Sequence, residues 1–223
     1  MLINADFSRR AALTPEQHQW VKSPQQGVAR VMLDRIGEEK ARATSLVRYA
    51  PQSYFPHHLH PEGEEILVLS GTFSADDQHY PAGWYLRNPP TSGHQPYSDE
   101  GAVIFVKLRQ MAATESCHVA IDTRDDSNWQ RQGQRDVCPL FADATEQVSL
   151  QRLSAGEALF MDETIAGGAE ILVLAGELID GSQAYQRGGW IRLPVGDDAS
   201  IISGLEGATV YLKTGHLAQP IGV

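Results

Sequence analysis

The feature that most constrains this chain is that it contains the same unit twice. EEILVLSGTFSADDQHYPAGWYLRNP at 64–89 and AEILVLAGELIDGSQAYQRGGWIRLP at 169–194 align without a gap at an offset of 105. Eleven of the 25 positions from Glu65 to Pro89 are identical, among them Glu65/Glu170, Gly71/Gly176, Tyr80/Tyr185, Arg87/Arg192 and Pro89/Pro194. Chance does not give that, so two copies of one structural unit fill the chain. The likeness extends, with shifts of one residue, to EGAVIFVKL at 100–108 against EGATVYLKT at 206–214, and to Phe55 against Phe160.

Each copy reads as short strands. TSLVRYA, EILVLSGTF, GWYLRNP and AVIFVKL in the first copy answer to EQVSLQRL, EILVLAGEL, GGWIRLP and ATVYLKT in the second. Helix signals are scarce: TPEQHQWV at 14–21 opens like a helix and equally fits a single turn. Polar residues from Met111 to Gln134 read as the connection, with one strand in it, and put the boundary near residue 112. The expected domains are 1–112 and 113–223. ILVL is apolar on both strand faces, so one face is expected to fill a barrel. The other is expected to pack on the second copy or on another chain, as in a homodimer.

Charge and cysteine usage exclude several partners. With 18 basic against 28 acidic side chains, the net charge of -10 repels a phosphate backbone, so no nucleic acid is expected. Two cysteines, Cys117 and Cys138, cannot form a disulfide framework, and they lack the companions a metal site would need. No export signal follows Arg9-Arg10 and no apolar run is long enough for a membrane helix, so a cytoplasmic protein is expected.

One stretch carries chemistry. His58 and His60 stand at i and i+2, which on a strand projects both imidazoles from one face. After the turn Pro61-Glu62-Gly63, Glu64 begins the ILVL strand and can return a carboxylate to the same side; His94 supplies a third imidazole. Three imidazoles and a carboxylate suit a first-row transition metal better than Mg or Ca. His57 alternates to the opposite face, His79 falls on a loop tip and Glu62 in a solvated turn, so none of them joins the expected ligand set. Tyr49, Tyr54, Phe73, Trp84 and Phe105 read as core. Glu65 and Arg87 read as a structural pair.

The pattern H-x-H-x3-E-x6-G, here His58, His60, Glu64 and Gly71, then Pro81-x-Gly83 and His94, resembles the two motifs of the cupin superfamily. More narrowly, LVRYAP, FPHHLHPEGEEILVLSGTFSADD, YPAGWYLRNPPTSGHQPYS and IFVKLRQM look like the ChrR-like cupins, the family of the C-terminal domain of ChrR anti-sigma factors. This likeness covers about residues 20–112. It implies an all-β fold of two tandem double-stranded β-helix (jelly-roll) barrels, with a metal on His58, His60, Glu64 and His94 in the first.

The repeat provides an internal control. At the offset of 105, His58 becomes Glu163, His60 becomes Ile165, Glu64 becomes Ala169 and His94 becomes Ala199. The second barrel is therefore expected to be degenerate and empty. One divalent metal per chain is expected, zinc first, with iron, manganese or nickel as alternatives. Metal loss is expected as pH falls through roughly 6 to 5, because imidazole must be neutral to bind.

Two functions follow. The resemblance implies a regulatory or sensory module, anti-sigma-related and of the oxidative-stress type, answering to a small molecule or an oxidant. The absence of any Cys-x-x-Cys and of the family's N-terminal zinc-binding helical domain speaks against direct sigma-factor binding. The alternative is a small-molecule metalloenzyme of the cupin dioxygenase type, because iron, manganese or nickel would keep open coordination positions where four-coordinate zinc would not.

Overall fold

A computed structural model describes residues 1–38, 40–160 and 165–221. Glu163, the residue aligned with His58, lies outside them. Strands dominate, helical structure among the described residues is limited to the 3-10 turns Pro15–Gln17 and Asp126–Asn128, and no helix is long and apolar enough to cross a membrane. The segment after Thr14 is thus a single turn, closed by a bond from the Thr14 amide to Gln17 Oε1 (2.8 Å).

The chain forms two compact units, one built on Gln19–Arg124 with Met1–Ala5 and Ile221, the other on Asp125–Pro220 with Asp6–His18. Both are jelly-roll barrels of antiparallel strands. In the first, the strand order is Leu2–Ile3, Val28–Ile36, Arg42–Tyr49, Ala102–Leu108, Glu64–Ala75, Trp84–Asn88 and Val119–Asp122. The far end of Glu64–Ala75 pairs with Gln78–Pro81 and Pro96–Ser98. In the second, the order is Gln130–Gln132, Arg135–Ala142, Gln147–Leu153, Ile201–Thr214, Ala169–Asp180, Trp190–Leu193 and Ala11–Leu13. The polar connection holds two strands, Val119–Asp122 and Gln130–Gln132, one in each unit.

The repeated ILVL segment has a physical reason. Ile66 and Val68 face the first core, as do Phe73 and Ala75, so the inward parity switches between them. The switch is a β-bulge: Ile104 pairs with Val68 while Val103 pairs with Ser70, leaving Leu69 as the extra residue. The second unit repeats it, with Val210 on Val173, Thr209 on Ala175 and Leu174 left over. Two residues on, Gly71 and Gly176 both have φ +66, and a Cβ there would lie 1.9 Å from Gly101 O and 2.2 Å from Gly207 O. Only glycine fits.

Leu67 is buried as well, on the face opposite Ile66 and Val68. Each such side chain contributes about 1.5–3 kcal/mol when removed from water, which explains a strand apolar on both faces. On the Leu67 face Glu65 meets the buried Arg87 at 3.0 Å, as the sequence suggests, and Glu115 grips the same guanidinium at 2.6 and 2.7 Å.

Candidate metal centre

Three segments of chain, 58–60, 92–94 and the start of the strand at Glu64, bring the site together. His58–Leu59 pairs with Gly93–His94 as a separate two-stranded ladder, with His58 and His94 directly opposite each other. Gly93 permits the approach, since a Cβ there would lie 2.7 Å from His58 O and from Leu59 Cδ2. His60 is tied by its amide to Ser92 O (2.8 Å), and the turn at Gly63, φ +76, delivers Glu64 as first residue of its strand.

Ligand atoms from His58, His60, Glu64 and His94 all lie within 4.8 Å of one another. Glu64 Oε2 is 3.4 Å from Nε2 of both His60 and His94. His60, Glu64 and His94 are buried, and His58 is half-buried.

The far side of each ring decides what the near side can do. His58 Nδ1 meets Pro56 O at 3.0 Å, a carbonyl that only accepts, so Nδ1 carries the proton. Ser92 Oγ donates to Pro89 O at 2.6 Å and so accepts from His60 Nδ1 at 3.0 Å. In both rings Nε2 is left with its lone pair, the arrangement metal-binding histidines need. Nε2 of His60 and of His94 is buried with no hydrogen-bond partner. Leaving such atoms unsatisfied costs about 1–3 kcal/mol each, a cost a bound cation removes. The donor set fits a divalent transition metal.

Burial sets the charge state. It pulls the His60 imidazole down to about 4 and His94 to about 3, with neighbouring imidazoles adding to the effect. It pushes the Glu64 carboxyl up to about 7, opposed by the hydrogen bond from Asn88. The two buried rings are therefore neutral, ready to bind, and Glu64 is the group that must give up a proton when a cation arrives.

Aromatic rings wall the cluster. Phe55 stands 5.3 Å from the His58 ring, Phe73 5.9 Å from His94, and Tyr49 5.8 Å from Phe73. Burial, and then the Glu64 charge, holds the Tyr49 hydroxyl far above its usual range. Sequence alone assigns Tyr49 and Phe73 to the core; they are core and site wall at once. Phe105 is buried core and Tyr54 is exposed.

The other sequence candidates lie apart. His57 and His79 are exposed, and His79 Nδ1 meets Ser74 Oγ at 2.9 Å near a hairpin end. Glu62 is held by Arg109 at 2.5 Å, so the turn carries an ion pair and not a freely solvated carboxylate. Cys117 is exposed, and Cys138 is buried with its thiol pushed up to about 11 by desolvation. Asn88 and Ser92, which touch Glu64 and His60, are absent from the sequence reading. A signal exists for Asn88: it is a mismatch, Asn88 against Leu193, between the matched pairs Arg87/Arg192 and Pro89/Pro194.

Residues 8–112 match the ChrR Cupin-like domain family. No curated protein matches the chain in sequence. Among solved structures, a protein from Nostoc punctiforme provisionally assigned as a dioxygenase superposes with a TM-score of 0.76 at 14% identity, over 95% of this chain and 85% of that one. The bacterial pirin YhhW of Escherichia coli, in complex with nickel(II), gives 0.67 at 12% identity, over 92% and 98%. A mutant of Bacillus subtilis oxalate decarboxylase gives 0.61 at 11% identity, over 92% and 76%. At such identities the likeness is one of fold. The fold is thus the jelly-roll barrel of cupin proteins, and the family match covers residues 8–112 alone.

Proposed function

We propose that the chain is a duplicated cupin with one metal centre, acting as a regulatory or sensory module. In this reading His58, His60, Glu64 and His94 hold one divalent metal, and a small molecule or oxidant reaching that centre is the signal. The observation that carries the metal assignment is the convergence of four ligand atoms within 4.8 Å, two of them buried nitrogens that make no hydrogen bond. The match of residues 8–112 to the ChrR Cupin-like domain supports the regulatory part. Four ligands of this kind satisfy tetrahedral zinc, which suits a centre that senses or braces.

A second reading has its own support. His58 is half-buried where the other three ligands are buried, which leaves one flank of the cluster open beside the Phe55 ring. Iron, manganese or nickel there would supply Lewis-acid or redox chemistry with free coordination positions, as a dioxygenase-type enzyme requires. The chain's own residues would fix the two Nδ1-protonated rings, hold Glu64 against Asn88 and present an apolar wall.

Metal analysis of untagged protein purified without chelators tests both. About one zinc per chain, lost in His60→Ala, supports the sensory reading. About one iron, manganese or nickel per chain, with oxygen consumption on small diketones or phenols, supports the enzyme. Metal that survives substitution of both His58 and His60 by Ala defeats the site assignment.

A further inference from the structure

We propose that Asn88 is a positioning residue of this centre, holding the Glu64 carboxylate so that one oxygen faces the imidazoles. The inference rests on the reading of His58, His60, Glu64 and His94 as metal ligands. Asn88 ends the strand Trp84–Asn88 and stands directly opposite Glu64 in antiparallel register. Its Nδ2 donates to Glu64 Oε2 at 3.2 Å, and this is the oxygen that lies 3.4 Å from Nε2 of both His60 and His94. A carboxylate oxygen has two lone-pair directions. Asn88 occupies one and thereby turns the other toward the cluster, which fixes a side chain that otherwise samples several rotamers.

The second unit shows that the fold does not ask for asparagine here. Leu193 takes the same register place opposite Ala169, fully buried, with Arg192 beside it as Arg87 is beside Asn88. Asparagine is also a poor strand former, so its presence at this position has a cost that packing does not return. Loss of the amide accompanies loss of the carboxylate it holds. Ser92 shows the same coupling on the His60 side, since its counterpart at the shared offset is Asp197, which binds Arg10 at 2.6 Å.

The test compares chelator-stripped wild type, Asn88→Leu and Asn88→Ala in Co(II) titrations, reading affinity by chelator competition and geometry from the visible absorption spectrum. Both variants are expected to bind Co(II) about 10- to 100-fold more weakly with altered ligand-field bands. The thermal midpoint of metal-free Asn88→Leu is expected to stay at or above wild type. The two replacements differ in volume and share the missing side-chain amide, so agreement between them assigns the loss to that amide, which meets Glu64 through Nδ2. Wild-type affinity and spectrum in either variant overturns the inference while leaving the ligand assignment standing. Wild type that binds no Co(II), or binds it equally after His60→Ala, overturns the ligand assignment itself and the inference with it.

Discussion

Where the first barrel buries His60, Glu64 and His94, the second buries Ile165 and Ala169 and packs Ala199 against the same kind of apolar core. The backbone beneath is alike: an extra leucine at the bulge, a left-handed glycine two residues on, and an amide-to-carbonyl bond of 2.8 or 2.9 Å from His60 to Ser92 or from Ile165 to Asp197. The comparison separates what the architecture requires from what chemistry requires. Gly71 recurs because the strand path requires it, and Glu65 and Arg87 recur as a cross-strand register pair that in the first barrel forms a buried ion pair. The histidines, Glu64 and Asn88 do not recur, and they carry a desolvation cost the second barrel has shed.

The largest effect expected from this contrast is on metal content. His60→Ala should abolish metal binding, whereas Ala199→Ser should leave stoichiometry at one per chain. Two metals per chain in the wild type would break the contrast outright. Next comes the buried ion pair of the first barrel. Arg87→Met removes the buried guanidinium that pairs with Glu65 and Glu115 and should destabilise by about 3–5 kcal/mol in denaturant unfolding. Its metal stoichiometry should not change.

A smaller effect tests the shared skeleton. Gly71→Ala and Gly176→Ala each force a left-handed alanine against a backbone carbonyl and should each cost more than about 1 kcal/mol. Unequal losses would show that the two bulges are not held equally firmly.

The smallest effect is pH dependence, which the buried site shifts away from the expectation for free imidazole. His60 and His94 stay neutral to about 4 and 3, so they do not compete with metal between pH 6 and 5. Glu64, raised to about 7, does, because it is protonated below that value and must release its proton on binding. Its contribution to affinity should weaken up to about tenfold per pH unit below 7, and Glu64→Gln should remove that dependence along with most of the affinity. The metal-free protein carries opposite signs. Depressed histidines lose stability as pH falls from 6.5, while raised Glu64 loses it as pH rises from 4.5 toward 7.

The strands and the grouping of His58, His60, Glu64 and His94 are legible because repeat, strand period and His-x-His spacing are local or periodic signals, whereas the jelly-roll barrel follows from the family resemblance. Asn88 and Ser92 escaped because their roles arise from cross-strand register, which pairs residues 24 and 32 positions away. Val28–Ile36 and Arg135–Ala142 were missed for a related reason. Their polar residues Asp34 and Arg135 are buried against partners on other segments: Asp34 with Arg42, eight residues on, and Arg135 with Glu157 and the Leu159 carbonyl, 22 and 24 residues on. Glu170 keeps the identity of Glu65 and gains the Trp190 indole as donor at 2.7 Å, a partner the repeat does not disclose because Trp190 aligns with Tyr85 in the sequence.

The two-residue ladder between His58–Leu59 and Gly93–His94 is continued by backbone bonds from His60 to Ser92 and from Thr91 to His60. It joins positions 36 residues apart, so an ion bound across it would serve as a removable cross-link. By loop-closure entropy a permanent bond over such a span is worth roughly 3–5 kcal/mol. An exchangeable one would make the clasp's tightness a logarithmic function of free metal, so that this corner of the barrel would register metal availability through its own opening equilibrium.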